Sequence, residues 1–575
     1  MRYHALACDY DGTIAHDGRV EPATEAALER LAASGRRLIL VTGRELPDLQ
    51  RAFPRLELFD RVVAENGGLL YRPGTREERL LTEPADPRLV ARLEAEEVTP
   101  LSVGRAIVAT WEPNDPVVLA AIRDLGLELE IIFNKGAVMV LPAGVTKASG
   151  LQAALLELGL SAHDVVGVGD AENDHAFLTL CEVAAAVANA LPTLKDRADL
   201  VLDAPRGEGV ERLVARILDD DLASIEASLT RQRVSLGETD DEPFVGPSSP
   251  RSRVLVAGAS GGGKSTLVTA FFERLCERGY QVCLFDPEGD YEHLKEAVVL
   301  GRADRPPTIE EVVDTLADPS RSVVVNLLGT RVDERPAFFE TLLARVVELR
   351  TRSGRPHWLI ADEAHHLLPS GWQSKEPSLA ELEGLVLVTV HPEEIAASIV
   401  RGVELAIAVG PAAGETIATI ADVVERPVPP IDGAPSDGEG FGWFVRREAQ
   451  DERGEVVRFR TARPTGDKQR HRRKYAEGEL SDVKSFWFRG PDDRLNLRAQ
   501  NLGLFVQLGE GVDDDTWLYH LRQGDYSRWI RDSISDPDLA SIVAGVEEDA
   551  EATAADSRRR IRDAIDRRYT APARR

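Results

Sequence analysis

The chain has 575 residues, 29% of them charged, and a formal net charge of -28. That balance argues against a generally basic nucleic-acid-binding protein and leaves room only for a local basic patch. Four scattered cysteines, Cys8, Cys181, Cys276 and Cys283, have neither metal-ligand spacing nor the pattern of a disulfide framework. No stretch is long and apolar enough to span a membrane. The first residues lack a signal-peptide pattern, so the expected compartment is the cytoplasm. At about 150 residues per domain, the length implies three or four domains.

The first element is a short apolar strand, Ala5 to Cys8, running into Asp9-Tyr-Asp11-Gly-Thr13. Two carboxylates two residues apart on an extended segment point the same way and can hold a divalent cation. An aspartate there can also act as a nucleophile. A second strand, Arg37 to Val41, ends in Thr42-Gly43-Arg44, a hydroxyl and a glycine N–H suited to a phosphoryl group. An α/β insertion follows, from about Glu78 to Val140, in which Arg105, Asn134 and Lys135 are polar residues able to face a cleft. Lys147 opens a helical stretch to Leu158 and can neutralise phosphoryl charge. Val165 to Val168 is another strand, ending in Gly169-Asp170-Ala-Glu-Asn173-Asp174.

These motifs, with Ala64-Glu-Asn-Gly-Gly68 and Gly144-Val-Thr-Lys-Ala-Ser149, resemble the haloacid dehalogenase (HAD) superfamily phosphatases of the IIB, or Cof-like, type. The resemblance implies a Rossmann-like domain with a small α/β cap that selects a small phosphorylated metabolite, a sugar phosphate or phosphoglycolate. It implies Asp9 as nucleophile and Asp11 as general acid/base. Thr42 and Lys147 would bind phosphate. Mg²⁺ would be held by Asp9, Asp170 and the Asp11 carbonyl, with Asn173 and Asp174 supporting the site.

The centre of the chain is strand, glycine-rich loop, helix: Val254 to Ala257, then Gly258-x-x-x-x-Gly263-Lys264-Ser265-Thr266. Glycines, among them Gly258, Gly261 and Gly263, let backbone N–H groups cradle phosphates, and the helix start adds positive potential. Lys264 would reach the β/γ-phosphates of ATP, and Ser265, beside Thr266, would ligate Mg²⁺. A later buried strand ends in Asp362-Glu363, where Asp362 can hold the Mg²⁺ shell and Glu363 can orient water. Thr389 and His391 close a further strand. With Asp286-Pro-Glu-Gly-Asp-Tyr291, these pieces resemble the P-loop ATPases of the FtsK–HerA class. That class usually forms rings, often moves DNA or protein, and completes its site with a neighbour's arginine, for which Arg401 is the candidate by position.

Beyond residue 440 the chain predicts a hairpin (Phe441 to Arg446, Glu455 to Thr461), a basic cluster (Lys468 to Lys474), an aromatic strand (Phe486 to Phe488) and a helix (Leu495 to Leu508). Asp513 to Asp515 precede Thr516 at a helix start, where negative charge is favourable. The expected division is 1–229 phosphatase with its cap at about 78–140, 230–250 linker, 251–430 ATPase, 431–440 linker, and 441–575 of unknown role. The expected fold class is multidomain α/β. The expected function is a Mg²⁺-dependent phosphomonoesterase coupled to ATP hydrolysis. A ring-forming DNA or protein translocase with an accessory phosphatase, and a nucleotide-gated regulatory or scaffold protein, stand as alternatives.

Overall fold

The structure is a computed structural model that describes residues 1–246, 250–373, 382–431, 433, 435–436, 438–445, 454–465, 485–491, 494–534 and 536–565. The basic cluster Lys468 to Lys474 lies outside the described residues.

The first sheet has eight strands in the order Leu200–Val201, Val183–Ala186, Val165–Gly169, Ala5–Cys8, Arg37–Val41, Arg61–Ala64, Leu69–Arg72 and Glu77–Leu80. The first six run parallel, and the last two are antiparallel. Apart from the exposed Arg37 at the start of one, its central strands are apolar and buried because helices cover both faces, as parallel sheets require. Asp9, Thr42 and Asp170 each follow the carboxyl end of such a strand, so the topology gathers them at one edge.

The insertion is a separate layer. Helices Pro87–Ala95 and Asp115–Leu125 cover a four-stranded antiparallel sheet in the order Leu129–Asn134, Ala137–Pro142, Val108–Trp111, Ser102–Val103. Glu77–Leu80 still pairs with the core sheet. The cap therefore begins after residue 80 rather than at about 78.

The second sheet has eleven strands. From one edge they are Pro243–Val245, Ser235–Glu238, Glu455–Thr461, Glu439–Phe444, Leu405–Val409, Arg253–Ala257, Leu385–Thr389, Trp358–Ala361, Val282–Asp286, Ser322–Asn326 and Ala297–Leu300. Two expectations change here. Residues 230–250 contain two paired strands where a linker was expected. The hairpin assigned to the C-terminal region instead extends the ATPase sheet, pairing antiparallel with Leu405–Val409 and burying Trp443 completely. The Gly-, Pro- and acid-rich composition near 240 concealed two short strands of four and three residues, the second of them at the sheet edge.

The C-terminal module packs Phe486, Phe488, Phe505, Trp517, Tyr526 and Trp529 into its own core. Leu495 to Leu508 is not one helix: Leu497–Ala499 is a strand, and Asn501 caps a helix over Leu502–Gly511 through a hydrogen bond to the Leu504 N–H. Asp513 caps the next helix by accepting from the Thr516 N–H and hydroxyl, as the charge pattern predicts.

The first two domains meet along a buried polar seam. On one side stand Arg2, His163, Asp164 and Glu182; on the other Arg278, Tyr280, Gln281, Arg355 and His357. The His163 Nε2 lies 2.7 Å from the Arg278 carbonyl oxygen, and its Nδ1 2.6 Å from Glu182. The Tyr280 hydroxyl donates to Glu182 at 3.0 Å, and Arg355 donates to the Gly159 carbonyl at 2.6 Å.

Candidate functional site

Lys147 is the hub of the first site. Its ammonium is 1% exposed and donates to Asp9 Oδ1 and Asp174 Oδ1, both at 2.6 Å. Burial opposes its charge, but Asp174 and Asp9 outweigh that and hold the lysine above its ordinary range. Thr13 donates to the other Asp9 oxygen at 3.2 Å. Burial, with Asp174 adding to it, pushes the Asp9 carboxyl up to about 7 against the pull of Lys147. Asp174 Oδ2 accepts the N–H groups of Asp170 and Ala171 at 2.8 and 2.9 Å, which fixes the turn after Val165–Gly169.

Asp9, Asp170 and Asp174 bring one carboxylate oxygen each within 4.8 Å of one another, all buried. Three hard oxygen donors suit Mg²⁺, and such a concentration of negative charge in a buried place calls for a cation. Asp11 is not in this cluster by its side chain. Its carboxylate is clasped by Arg44, Nε and Nη2 each donating at 2.7 Å, and Arg44 also holds Asp48 at 2.7 Å. The Thr42 hydroxyl is buried and accepts from the Arg44 N–H.

Asn189 and Glu65 had no role assigned from sequence, whereas Asn173 was expected to support the site and Lys135 and Arg105 to be able to face the cleft. Asn189 donates to the Gly12 carbonyl at 2.9 Å and to Asp170 at 3.2 Å, tying the first motif to the last. Asn173 donates to Asn66 at 3.0 Å. Glu65 accepts the N–H groups of Arg105, Ala106 and Ile107, so one buried carboxylate ties the cap to the core. Its motif needs glycine: at Gly67, with φ +109, a Cβ would stand 2.0 Å from the Thr146 carbonyl oxygen. The Thr146 side chain caps the helix that begins with Lys147, so this close approach seats the lysine. Lys135, at the tip of the cap hairpin, reaches Asp170 at 2.7 Å. The Arg105 guanidinium instead pairs with Glu78.

The second site follows Arg253–Ala257. Gly258, at φ +155, comes so close to Leu405–Val409 that a Cβ would lie 2.4 Å from the Val409 carbonyl oxygen. Gly261 and Gly263 have φ of 78° and 97°. The loop opens the helix Lys264–Glu277, which carries Ser265 and Thr266 in its first turn. The Lys264 ammonium donates to the carbonyls of Gly258 and Ala259. Across one intervening strand, Trp358–Ala361 delivers Asp362 and Glu363. Asp362 is buried, and desolvation, then Glu363 and Asp286, drives its carboxyl well above its usual range. Glu363 takes left-handed backbone at φ 42, and burial raises its carboxyl while Lys264 pulls it down. The intervening strand ends at Thr389, whose hydroxyl lies 3.0 Å from His365 Nδ1 and accepts from the His391 N–H. The His391 ring is half exposed against Glu393, and Arg401 pairs with Glu425.

A buried carboxylate cluster on a parallel sheet under a cap, joined to a glycine-loop sheet with an acidic strand end, defines a hydrolase domain and a P-loop nucleotide-binding domain in one chain. The haloacid dehalogenase-like hydrolase family matches residues 6–94 and 126–214, and the AAA ATPase domain family matches residues 242–389. The chain is 32% identical to the phosphoglycolate phosphatase of Methanothermobacter thermautotrophicus over 224 residues, covering 37% of this chain and 98% of the relative. It is 32% identical to that of Haloarcula marismortui over 228 residues, covering 37% and 97%. Among solved structures, a HAD subclass IIB sugar phosphatase aligns at 21% identity and TM-score 0.32, over 37% of this chain and 98% of that one. A Thermoplasma acidophilum protein aligns at 17% identity and TM-score 0.34, over 38% and 99%. Through its first domain the chain belongs to the haloacid dehalogenase-like hydrolases. A hydrolase domain and an ATPase domain are thus both present, and among the described residues no helix is long and apolar enough to cross a membrane.

Proposed function

We propose that the first domain is a Mg²⁺-dependent phosphomonoesterase for a small phosphorylated acid of the 2-phosphoglycolate kind. The observation that carries this reading is Lys147 bridging Asp9 and Asp174 beside Asp170. The similarity to curated phosphoglycolate phosphatases supports the substrate class. Asp9 attacks phosphorus and the ester oxygen leaves with a proton from Asp11, giving an aspartyl-phosphate. Water then attacks that phosphorus, passing its proton to Asp11 and releasing phosphate and Asp9. Arg44 clasps both Asp11 oxygens in the structure, so Asp11 leaves that clasp to carry the proton in these transfers. Lys147 balances the charge of Asp9, and Thr42 offers its hydroxyl to a phosphoryl oxygen. A cation held by Asp9, Asp170 and Asp174, with the Asp11 carbonyl, supplies charge neutralisation at the phosphoryl group.

In the second domain, Lys264 with the loop N–H groups takes the ATP phosphates, Ser265 and Asp362 hold its Mg²⁺, and Glu363 orients the attacking water. We favour the FtsK–HerA reading of this domain, and the placement of Thr389 between the glycine loop and Glu363 supports a phosphate-sensing role for it. The separate apolar cores support a division into 1–229, about 235–461 and 485–565.

The test is phosphate release from 2-phosphoglycolate and p-nitrophenyl phosphate, with Mg²⁺ and with chelator. The parent should need the metal, and Asp9→Asn should lose turnover on both while still binding ATP. Normal turnover by that variant removes Asp9 from the role.

A further inference from the structure

We propose that Lys135 selects the substrate: the cap holds its ammonium as the counter-charge for a second anionic group, a carboxylate, on the leaving side of the phosphate ester. This deepens the phosphatase reading above and rests on it. The cap hairpin Leu129–Asn134 and Ala137–Pro142 is closed by Lys135 and Gly136, with φ of 48° and 87°. Left-handed backbone is uncommon for a lysine. The turn nonetheless carries lysine there and aims it at the core. Its Nζ lies 2.7 Å from Asp170 Oδ2 and would be 3.1 Å from a Cβ on Gly12. The cap cation thus stands directly over both the loop after the nucleophile and a carboxylate of the metal cluster.

The other cations of the site are committed elsewhere. Lys147 is buried between Asp9 and Asp174, and Arg44 is clasped on Asp11 and Asp48. Lys135, by contrast, has a single carboxylate partner among the described residues, Asp170, and its side chain is half exposed at the cleft, which makes it the cation of the site with room for a charge brought by the substrate. In-line displacement puts the ester oxygen on the side of phosphorus away from Asp9, which is the side the cap covers. The group carried by that oxygen is therefore presented to the hairpin tip.

The surroundings strengthen the pull of Lys135 on an anion. Cross-strand register places Ala137 between Trp111 and Asn134, and Met139 between Ala109 and Ile132, on one face of the cap sheet. Met139 Sδ would sit 3.5 Å from a Cβ on Gly43, so this face looks onto the phosphoryl-binding loop. Apolar walls strengthen the pull of a nearby cation on a carboxylate, and Asn134, opposite Ala137 on the same face, adds an amide beside Lys135.

The experiment compares 2-phosphoglycolate with 2-hydroxyethyl phosphate, which replaces the carboxylate by an alcohol, in the full chain with Mg²⁺. The parent should prefer the carboxylate. Lys135→Ala should cut the ratio of the two kcat/KM values at least tenfold, chiefly through KM for 2-phosphoglycolate. Lys135→Arg should restore part of the ratio, and Lys135→Glu should invert it. An unchanged ratio with both rates falling alike would overturn the proposal and assign Lys135 to the phosphoryl group or to Asp170. A parent that hydrolyses p-nitrophenyl phosphate but does not distinguish the two esters overturns this inference and leaves the phosphatase reading standing. A parent inactive on all three overturns both.

Discussion

The imidazole of His163 lies flat on the ring of Tyr280, centroids 3.7 Å apart and planes 16° from parallel, one residue from each of the first two domains. Both rings converge on Glu182, and Arg2 reaches the same carboxylate at 3.1 Å. Beside them the His357 Nδ1 accepts from the Gln281 N–H at 2.8 Å, which places the ring proton on Nε2, facing Asp164 at 3.6 Å. Burial pushes the His357 ring down to about 4. The unfolded chain takes up this proton near pH 6.5, so acid favours unfolding. The contribution is complete above about pH 6.5 and falls away as pH drops towards 4, amounting to about 3 kcal/mol at most. Asp164, held low against burial by His357 and Arg2, and Glu182, held low against burial by His163 and Arg2, push the same way. His357→Gln should therefore flatten the fall in Tm between pH 7 and pH 4.5. Parallel Tm profiles for parent and variant would remove His357 from this role.

Glu65 predicts how firmly the cap is tethered. Replacing it by alanine strands three buried N–H groups, each costing about 1–3 kcal/mol when left unpaired. Glu65→Ala should lower Tm by several degrees and raise hydrogen exchange at residues 105–107 before the rest of the cap. Glu65→Gln keeps one acceptor oxygen and should fall between. Unchanged exchange at 105–107 would show that the tether lies elsewhere.

ATP chemistry should be separable from phosphate-ester hydrolysis. Lys264→Ala should weaken nucleotide binding at least tenfold by removing the phosphate-facing cation. Glu363→Gln should keep binding and lower hydrolysis at least a hundredfold. Neither should move p-nitrophenyl phosphate turnover by more than about twofold. Parental ATPase rates in both variants would reject the assignment of these two residues.

With its net charge of -28, the chain should bind double-stranded DNA weakly at 0.15 M salt, where screening reaches about 8 Å. ATPase rates should not rise when DNA is added. Tight binding that weakens steeply across a salt series, together with strong stimulation, would favour the translocase alternative.

What could be read in the sequence was whatever local order encodes. Asp9, Thr42, Asp170 and the glycine loop each sit at a strand end, and a strand followed by its motif is visible without the fold. Lys147 was legible as a phosphate-side cation, but its bridge from Asp9 to Asp174 joins residues far apart in the chain. Asn189, Glu65 and the seam histidines were harder still. A lone histidine or asparagine in a loop has no periodicity, and its meaning comes from a partner on another element. The short strands near 240 were missed because such strands carry turn-like composition, and their pairing is decided by the neighbouring strand.

The seam is built from residues that precede strands on both sides. Asp164 leads into Val165–Gly169 and on to Asp170; Gln281 leads into Val282–Asp286, and His357 into Trp358–Ala361 and on to Asp362. The domains are joined back to back, each reactive edge lying a strand's length, about 15 Å, from the junction. The two reactive edges lie at the strand ends far from the seam, so the seam itself forms no shared cleft for phosphate or ADP. Displacement of these strands against the His163–Tyr280 stack is the direct path by which one reactive edge can act on the other.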